Sequence, residues 1–181
     1  MTIHVNYPFP NLNISAKIDC LPIIRLEKNK MISWHCLFFN ELALRTLYDL
    51  MKARVDVFVV EQDCPYPELD GIDTLPDTKH LFAMDNDQPA AYVRIIAPHV
   101  SYPNHSSIGR VLVVANYRKD KLGHTLIKQA IQTALTSWPD TPIKIGAQSH
   151  LENFYQSHGF RKVSEPYMED GIEHISMILT P

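Results

Sequence analysis

The chain has 181 residues, of which 45% are hydrophobic and 20% are charged, a composition typical of one globular domain with a sizeable core. Its net charge of −3 argues against a nucleic-acid-binding protein, because such proteins usually carry a basic excess. We expect a reduced, cytoplasmic protein without a metal site or membrane association. The 3 cysteines are widely spaced, the N-terminus lacks a signal-peptide pattern, and no apolar run reaches the roughly 18 residues of a membrane span.

Residues 1–30 differ from the rest of the chain. They contain three prolines and several asparagines, and they show no sustained hydrophobic periodicity. We interpret this segment as an N-terminal appendage, either a disordered extension from a misassigned start codon or a docking arm. The domain itself is expected to span residues 31–181.

The first half of that domain predicts a strand, a helix and a hairpin. Met31 opens an apolar run that is typical of a strand, and Asn40 is placed to cap a helix predicted over residues 44–59. Residues 62–78 are rich in Pro, Asp and Gly and predict a long loop. The two hairpin strands are predicted at 80–84 and 90–97, on either side of a polar turn.

The second half predicts a strand that leads through a basic turn into an amphipathic helix. The strand covers Ile108–Val114, and the helix, which begins at Leu122, repeats its apolar residues at the spacing of one helical face. Further on, the predicted elements are a strand at 143–148, a short helix at 151–158 that Gly159 closes, and strands at 160–163 and 174–179. The fold class predicted from this order is a mixed α/β sheet with flanking helices.

The basic turn is the most informative feature of the sequence. Arg118, Lys119, Lys121 and Gly123 lie between the strand and the start of the helix. Unpaired backbone N–H groups at a helix start, beside basic side chains, form a seat for a phosphate. The junction therefore predicts a phosphate-bearing cofactor.

The element order and the turn RKDKLGH at 118–124 resemble the GNAT superfamily of acyl-CoA-dependent N-acyltransferases. Three longer strings, VFVVEQDCPYPELDGID, IGRV and GAQSHLENFYQSHGF, resemble its ElaA-like subfamily. The resemblance runs from about Met31 to the C-terminus. The turn departs from the usual Arg/Gln-x-x-Gly-x-Gly/Ala pattern, because Lys121 stands where the first glycine is expected.

The resemblance implies a largely antiparallel sheet with a splayed parallel strand pair at the acyl-CoA site. The cofactor implied is acetyl-CoA, with CoA as product, and Tyr155 matches the tyrosine that protonates the departing thiolate in many members. Asn153 is expected beside the cofactor on the same helix. The other residues implied for the cofactor are, in the strand, Val111, Leu112 and Val113, and, in the turn, Arg118, Lys119, Lys121, Leu122, Gly123 and His124.

The acceptor side is predicted from charge. Glu61 opens an acidic loop that could attract a cationic amine, and it is our candidate for the general base. A solvated acidic loop is the alternative. Because an arginine on a strand is costly to bury unpaired, we expect Arg94 or Arg110 to pair with a loop carboxylate such as Glu61 or Asp73. The candidate acceptor-site residues are Asp70, Asp73, His80, Arg94, Arg110, Gln148 and His150.

The expected function is acetyl transfer from acetyl-CoA to a primary amine of a small molecule or peptide, by direct attack. Two alternatives belong to other classes. A CoA-binding sensor or degenerate acyltransferase would bind CoA without turnover, and a protein-interaction module would not bind CoA. The sequence leaves the acceptor and the oligomeric state open.

Overall fold

The computed structural model describes residues 24–26 and 30–181. The strands in this part of the chain form one sheet in the order β1–β2–β3–β4–β5–β6–β9–β7, and β8 also pairs with β9. All neighbours are antiparallel except β5 and β6, which are parallel. The strands are β1 (Ile24–Leu26), β2 (Lys30–Phe38), β3 (Lys79–Asp85), β4 (Gln88–Ile96), β5 (Ser106–Val113), β6 (Ile143–Gln148), β7 (Arg161–Lys162), β8 (Tyr167–Glu169) and β9 (Ile172–Leu179).

Three α-helices accompany the sheet: α1 (Leu44–Arg54), α2 (Leu122–Ser137) and α3 (Glu152–Gln156). The last turns of α1 widen into a π-helix over Val55–Glu61. Four valines fall in this segment, and β-branched side chains are poorly accommodated in a regular α-helix. Among residues 24–26 and 30–181, no helix combines the length and hydrophobicity that a membrane span needs.

Each face of the sheet carries its own apolar core. On one face, α2 buries Leu126, Ile127 and Ala130 against β3, β4 and β5, and the same core includes Tyr155 of α3. On the other face, α1 buries Leu50 against a second cluster from β3, β4 and β5. The spacing that predicted α2 is thus the spacing of its buried residues.

The parallel strands β5 and β6 diverge soon after they begin. Their pairing is confined to Ser106 with Ile143 and Ser107 with Lys144. On its other side β5 carries a bulge against β4, where two residues, Arg110 and Val111, fit opposite Val93 alone. Arg110 takes a φ of 55°, which is the left-handed region. The divergence opens a gap in the middle of the sheet.

The predicted fold class, including the splayed parallel pair, is confirmed. Three details of the prediction are wrong. Asn40 does not cap α1, because it lies in a 3₁₀ turn and Ala43 is the N-cap residue. The helix predicted at 151–158 is shorter than expected, and β8 was predicted as loop. The interpretation of residues 1–30 lies almost wholly outside the described residues, apart from β1, which pairs with β2.

Candidate functional site

A cleft of about 390 Å³ occupies the gap between β5 and β6. It extends from the bulge of β5 to the end of β6. Residues of the acidic loop and of the turn between β8 and β9 also line it. Among the residues that line it are Arg110 and Val111 of β5, Ala147 and Gln148 of β6, and Tyr155 of α3.

The β5 edge of the cleft is backbone that no strand of the described residues covers. Beyond Ser107, β5 pairs with no residue of β6. Of the predicted cofactor residues on this strand, Val111 lines the cleft, whereas the side chain of Leu112 is buried in the α1-side core. An extended ligand could pair with the free backbone edge as an added strand does.

The basic turn has the backbone path that a glycine would give. Lys121 is the N-cap of α2 and takes φ 55° and ψ 18°, so the lysine adopts the left-handed conformation. The first backbone N–H groups to bond within this turn are those of His124 and Thr125, both donating to the Lys121 carbonyl. The N–H groups of Leu122 and Gly123 precede them, at the start of the helix. The predicted phosphate site requires a helix start of this kind, and its role stays a prediction.

Tyr155 places a phenol in the cleft. Its ring is 7% exposed and packs edge-on against Phe154 and Phe160. Among the described residues its hydroxyl has no hydrogen-bond partner, and burial raises the pKa of Tyr155 to about 12. This phenol keeps its proton at neutral pH and can donate it into the cleft. Asn153, on the same helix, is exposed outside the cleft.

A fully buried arginine, Arg54, anchors the acidic loop. Its guanidinium donates to Glu68 at 2.6 and 2.8 Å, to Asp73 at 2.6 and 3.2 Å, and to the Tyr92 hydroxyl at 3.3 Å. Burial alone would lower the pKa of Arg54, but the two carboxylates raise it. Sequence reasoning missed this residue. The available signal was a charged side chain at helical spacing from Leu50 and Val57, on the apolar face of α1.

Two strand arginines complete this network. Arg94 of β4 donates to Asp70 at 2.6 and 2.7 Å and to Asp73 at 3.1 Å. Arg110 of the bulge donates to Glu68 at 3.0 Å and to Asp70 at 3.2 Å. The predicted pairing of a strand arginine with a loop carboxylate is confirmed for Arg94 and Asp73, and Arg110 uses different carboxylates from those expected.

Glu61 lies against the basic turn instead of the cleft. Its carboxylate pairs with the Arg118 guanidinium at 2.7 and 2.8 Å, while the Arg118 Nε donates to the Val113 carbonyl. Both side chains are close to half exposed. The hydrogen bond from Arg118 lowers the pKa of Glu61, which makes the carboxylate a weaker base.

The remaining predicted acceptor-site residues fall into three places. Gln148 lines the cleft and donates to the Gln62 side chain at 3.1 Å. Asp73 is buried within the loop, and His80 is buried beneath it, where His80 bonds the Tyr92 hydroxyl and the Asp73 carbonyl. His150 is exposed and does not line the cleft. In the described residues, no group of three or more His, Cys, Asp and Glu side chains is arranged for a metal ion.

Comparison with known proteins identifies relatives over most of the chain. The family described as acetyltransferase (GNAT) domain matches residues 49–181. The chain is 45% identical to the protein ElaA of Escherichia coli over 147 residues, which are 81% of this chain and 95% of ElaA. The crystal structure of E. coli ElaA superposes with a TM-score of 0.77 at 44% identity, covering 82% of this chain and 99% of that one. An acyl-CoA N-acyltransferase from Pseudomonas aeruginosa has a TM-score of 0.76 at 44% identity and covers 81% and 99%.

Removing the Arg54 guanidinium should destabilise the protein. Arg54→Leu leaves Glu68 and Asp73 without their buried partner, and we expect a loss of about 3–5 kcal/mol in the free energy of unfolding, measured by urea denaturation. Arg45→Leu is the matched control, because Arg45 pairs with Asp49 on the same helix with 81% of its side chain exposed. We expect that change to leave the free energy of unfolding almost unchanged, because an exposed ion pair contributes little. Equal losses for both variants would contradict the role assigned to Arg54.

Acid should weaken the same network. Burial alone would raise the pKa of Asp70 and Asp73, but their arginine partners lower it below the ordinary value of 3.8. The stability they contribute is therefore fully present above about pH 4 and is lost as pH falls through the lowered folded-state pKa values. We expect Asp70→Asn to flatten the dependence of the unfolding free energy on pH in this range. Asp77→Asn, at an exposed loop position, should leave it unchanged.

Proposed function

This chain belongs to the GNAT acetyltransferase family, and from that premise we propose that it is an acyl-CoA-dependent N-acyltransferase that moves an acetyl group from acetyl-CoA to a primary amine of a small molecule or peptide. The observation that carries the proposal is the unpartnered hydroxyl of Tyr155, a buried residue that lines the gap between β5 and β6. A proton donor in a splayed sheet beside a phosphate seat fits the release of a thiol from a phosphate-bearing cofactor.

The residues present fit acyl-CoA. The free backbone edge of β5 would hold the extended arm, and the N–H groups of Leu122 and Gly123, with Lys119 and Lys121 beside them, would hold the pyrophosphate. The bound thioester would supply an activated acyl group. Lys121 replaces a glycine, but its left-handed backbone keeps the turn in shape. This substitution therefore gives no support to a sensor that binds CoA without turnover.

The proposed reaction is direct attack. The nitrogen of a neutral amine forms a bond to the acyl carbon, the carbon–sulfur bond breaks, and Tyr155 donates its proton to the sulfur. A bulge leaves backbone groups unpaired, so the N–H groups near Arg110 and Val111 can polarise the acyl oxygen. The amine nitrogen gives up its proton to water in the cleft or to Glu61. We favour water, because Arg118 already occupies the Glu61 carboxylate.

Tyr155→Phe tests the role of the acid. The change removes one hydroxyl and keeps the ring packing, so we expect kcat to fall at least about tenfold while CoA affinity, measured by calorimetry, is retained. Tyr48→Phe, at an exposed position on α1, is the control and should leave both unchanged. Thiol release from acetyl-CoA with a panel of amines is the assay. Unaltered turnover in Tyr155→Phe would remove Tyr155 from the mechanism, and no thiol release with any amine would contradict the proposed function.

Glu61→Gln separates the two roles available to Glu61. If Glu61 holds Arg118 in place within the basic turn, the variant should raise KM for acetyl-CoA by up to about fivefold and leave kcat unchanged. If Glu61 accepts the amine proton, kcat should fall by about 10²–10⁴. We expect the first result, measured beside Glu165→Gln, an exposed carboxylate outside the cleft.

A further inference from the structure

Three polar groups from two segments of the chain lie close to one point of β6. The Tyr167 hydroxyl, the Tyr102 hydroxyl and the Glu169 carboxylate lie 3.1, 3.6 and 3.8 Å from the position that a Cβ of Gly146 would occupy. Tyr102 comes from the loop between β4 and β5, and the other two come from β8. We call this group the tyrosine–carboxylate cradle.

The cradle belongs to the cleft. Tyr102, Gly146 and Glu169 all line it. The glycine makes the room, because the Cβ of an alanine would be closer to the Tyr167 hydroxyl than an ordinary van der Waals contact allows. Gly146, which has no side chain, therefore forms the floor of the cradle, and two phenols and a carboxylate form its walls.

The charge of the cleft favours a cation at this point. The network of Arg54, Arg94 and Arg110 contains three guanidiniums and three carboxylates, so those charges balance. Two further carboxylates line the cleft, and among the side chains of residues 31–181 neither has an ion-pair partner. They are those of Glu169 and Asp170.

One ammonium group already lies at the edge of the cradle. The Lys144 Nζ is 4.7 Å from the centroid of the Tyr102 ring, at cation–π distance. The Lys144 ammonium thus occupies one face of the Tyr102 ring, and the ring hydroxyl lies beside Gly146. Lys144 does not line the cleft, so its charge flanks the site and does not fill it.

The cradle and Tyr155 lie on opposite sides of β6. Ile145 and Ala147 face the core that contains Tyr155, and successive side chains of a strand alternate between faces, so Gly146 faces the other way. A nitrogen held at Gly146 and a proton donor at Tyr155 would then approach the gap from opposite faces. This arrangement is compatible with direct acyl transfer, because the nucleophile enters and the thiol departs at different positions around one carbon.

We propose that the tyrosine–carboxylate cradle binds the ammonium group of the acyl acceptor, and that the acceptor is a cationic primary amine without a carboxylate next to its nitrogen. Glu169 accepts hydrogen bonds from the ammonium group, and the two phenol oxygens complete its coordination. The ammonium group gives one proton to water in the cleft before its nitrogen attacks, so the nucleophile is the neutral amine. A carboxylate beside the nitrogen would meet Glu169 and Asp170 and be repelled. This assignment rests on the proposed function, because it names the acceptor class for that same cleft.

The test measures amine binding and turnover separately. Pentylamine and norleucine are matched probes, since norleucine is pentylamine with a carboxylate on the carbon that carries the nitrogen. Each is titrated calorimetrically into the protein with CoA present, where no acyl group can move, and each is then assayed for thiol release with acetyl-CoA. The variants are Glu169→Gln and Gly146→Ala, and Glu173→Gln on the same hairpin is the control outside the cleft. Thermal unfolding checks that every variant is folded.

We expect pentylamine to bind at least about tenfold more tightly than norleucine, and Glu169→Gln and Gly146→Ala each to weaken pentylamine binding about tenfold. Glu173→Gln should leave binding unchanged. If both probes bind equally, or if Glu169→Gln binds pentylamine as the unaltered protein does, the cradle is not the ammonium site, even where thiol release occurs. If pentylamine binding depends on Glu169 but no amine supports thiol release, the cradle stands and the proposed function fails. If no amine binds and no thiol is released, both are overturned.

Discussion

A network of hydrogen bonds between three arginines and three carboxylates fixes one wall of the cleft. Residues 62–78 form a loop without regular structure apart from one 3₁₀ turn, and a loop of this length needs specific contacts to hold one conformation. Arg54 reaches it from α1, Arg94 from β4 and Arg110 from the bulge of β5. Because Arg54 and Arg94 are buried, each carboxylate they bind is held at a defined place on the sheet. The loop becomes a wall of the cleft for this reason.

The bulge of β5 connects that wall to the rest of the cleft. At Arg110 the backbone turns left-handed, which aims its side chain at Glu68 and Asp70 and leaves Val111 on the cleft. One irregularity of one strand therefore serves both sides of the site. It anchors the acidic loop through a side chain, and it leaves backbone groups unpaired at the cleft.

The sequence predicted the parts of the molecule that depend on local patterns. The apolar spacing of α2, the strand at Ile143–Gln148 and the glycine after α3 follow from periodicity and backbone preference, and all three are present. The groups that long-range packing brings together were not predictable. Tyr102 and Glu169 lie far apart in the chain, and nothing local shows that they meet. The strand β8 is short and exposed, so it lacks the alternation that would have revealed it; its pairing with β9 is what makes it a strand.

The divergence of β5 and β6 also leaves the sheet in two parts that are joined by few hydrogen bonds. The sheet consists of a block from β1 to β5 and a block from β6 to β9, and its hydrogen-bonded continuity across the seam is limited to the start of the two strands. Packing of α2 and Tyr155 in the shared core carries the rest of the connection. Such a seam is where a domain can separate into two cooperative units with different local stability. A ligand that contacts both edges of the gap would link the two blocks. Its binding would therefore make the whole domain more resistant to heat, force and proteolysis.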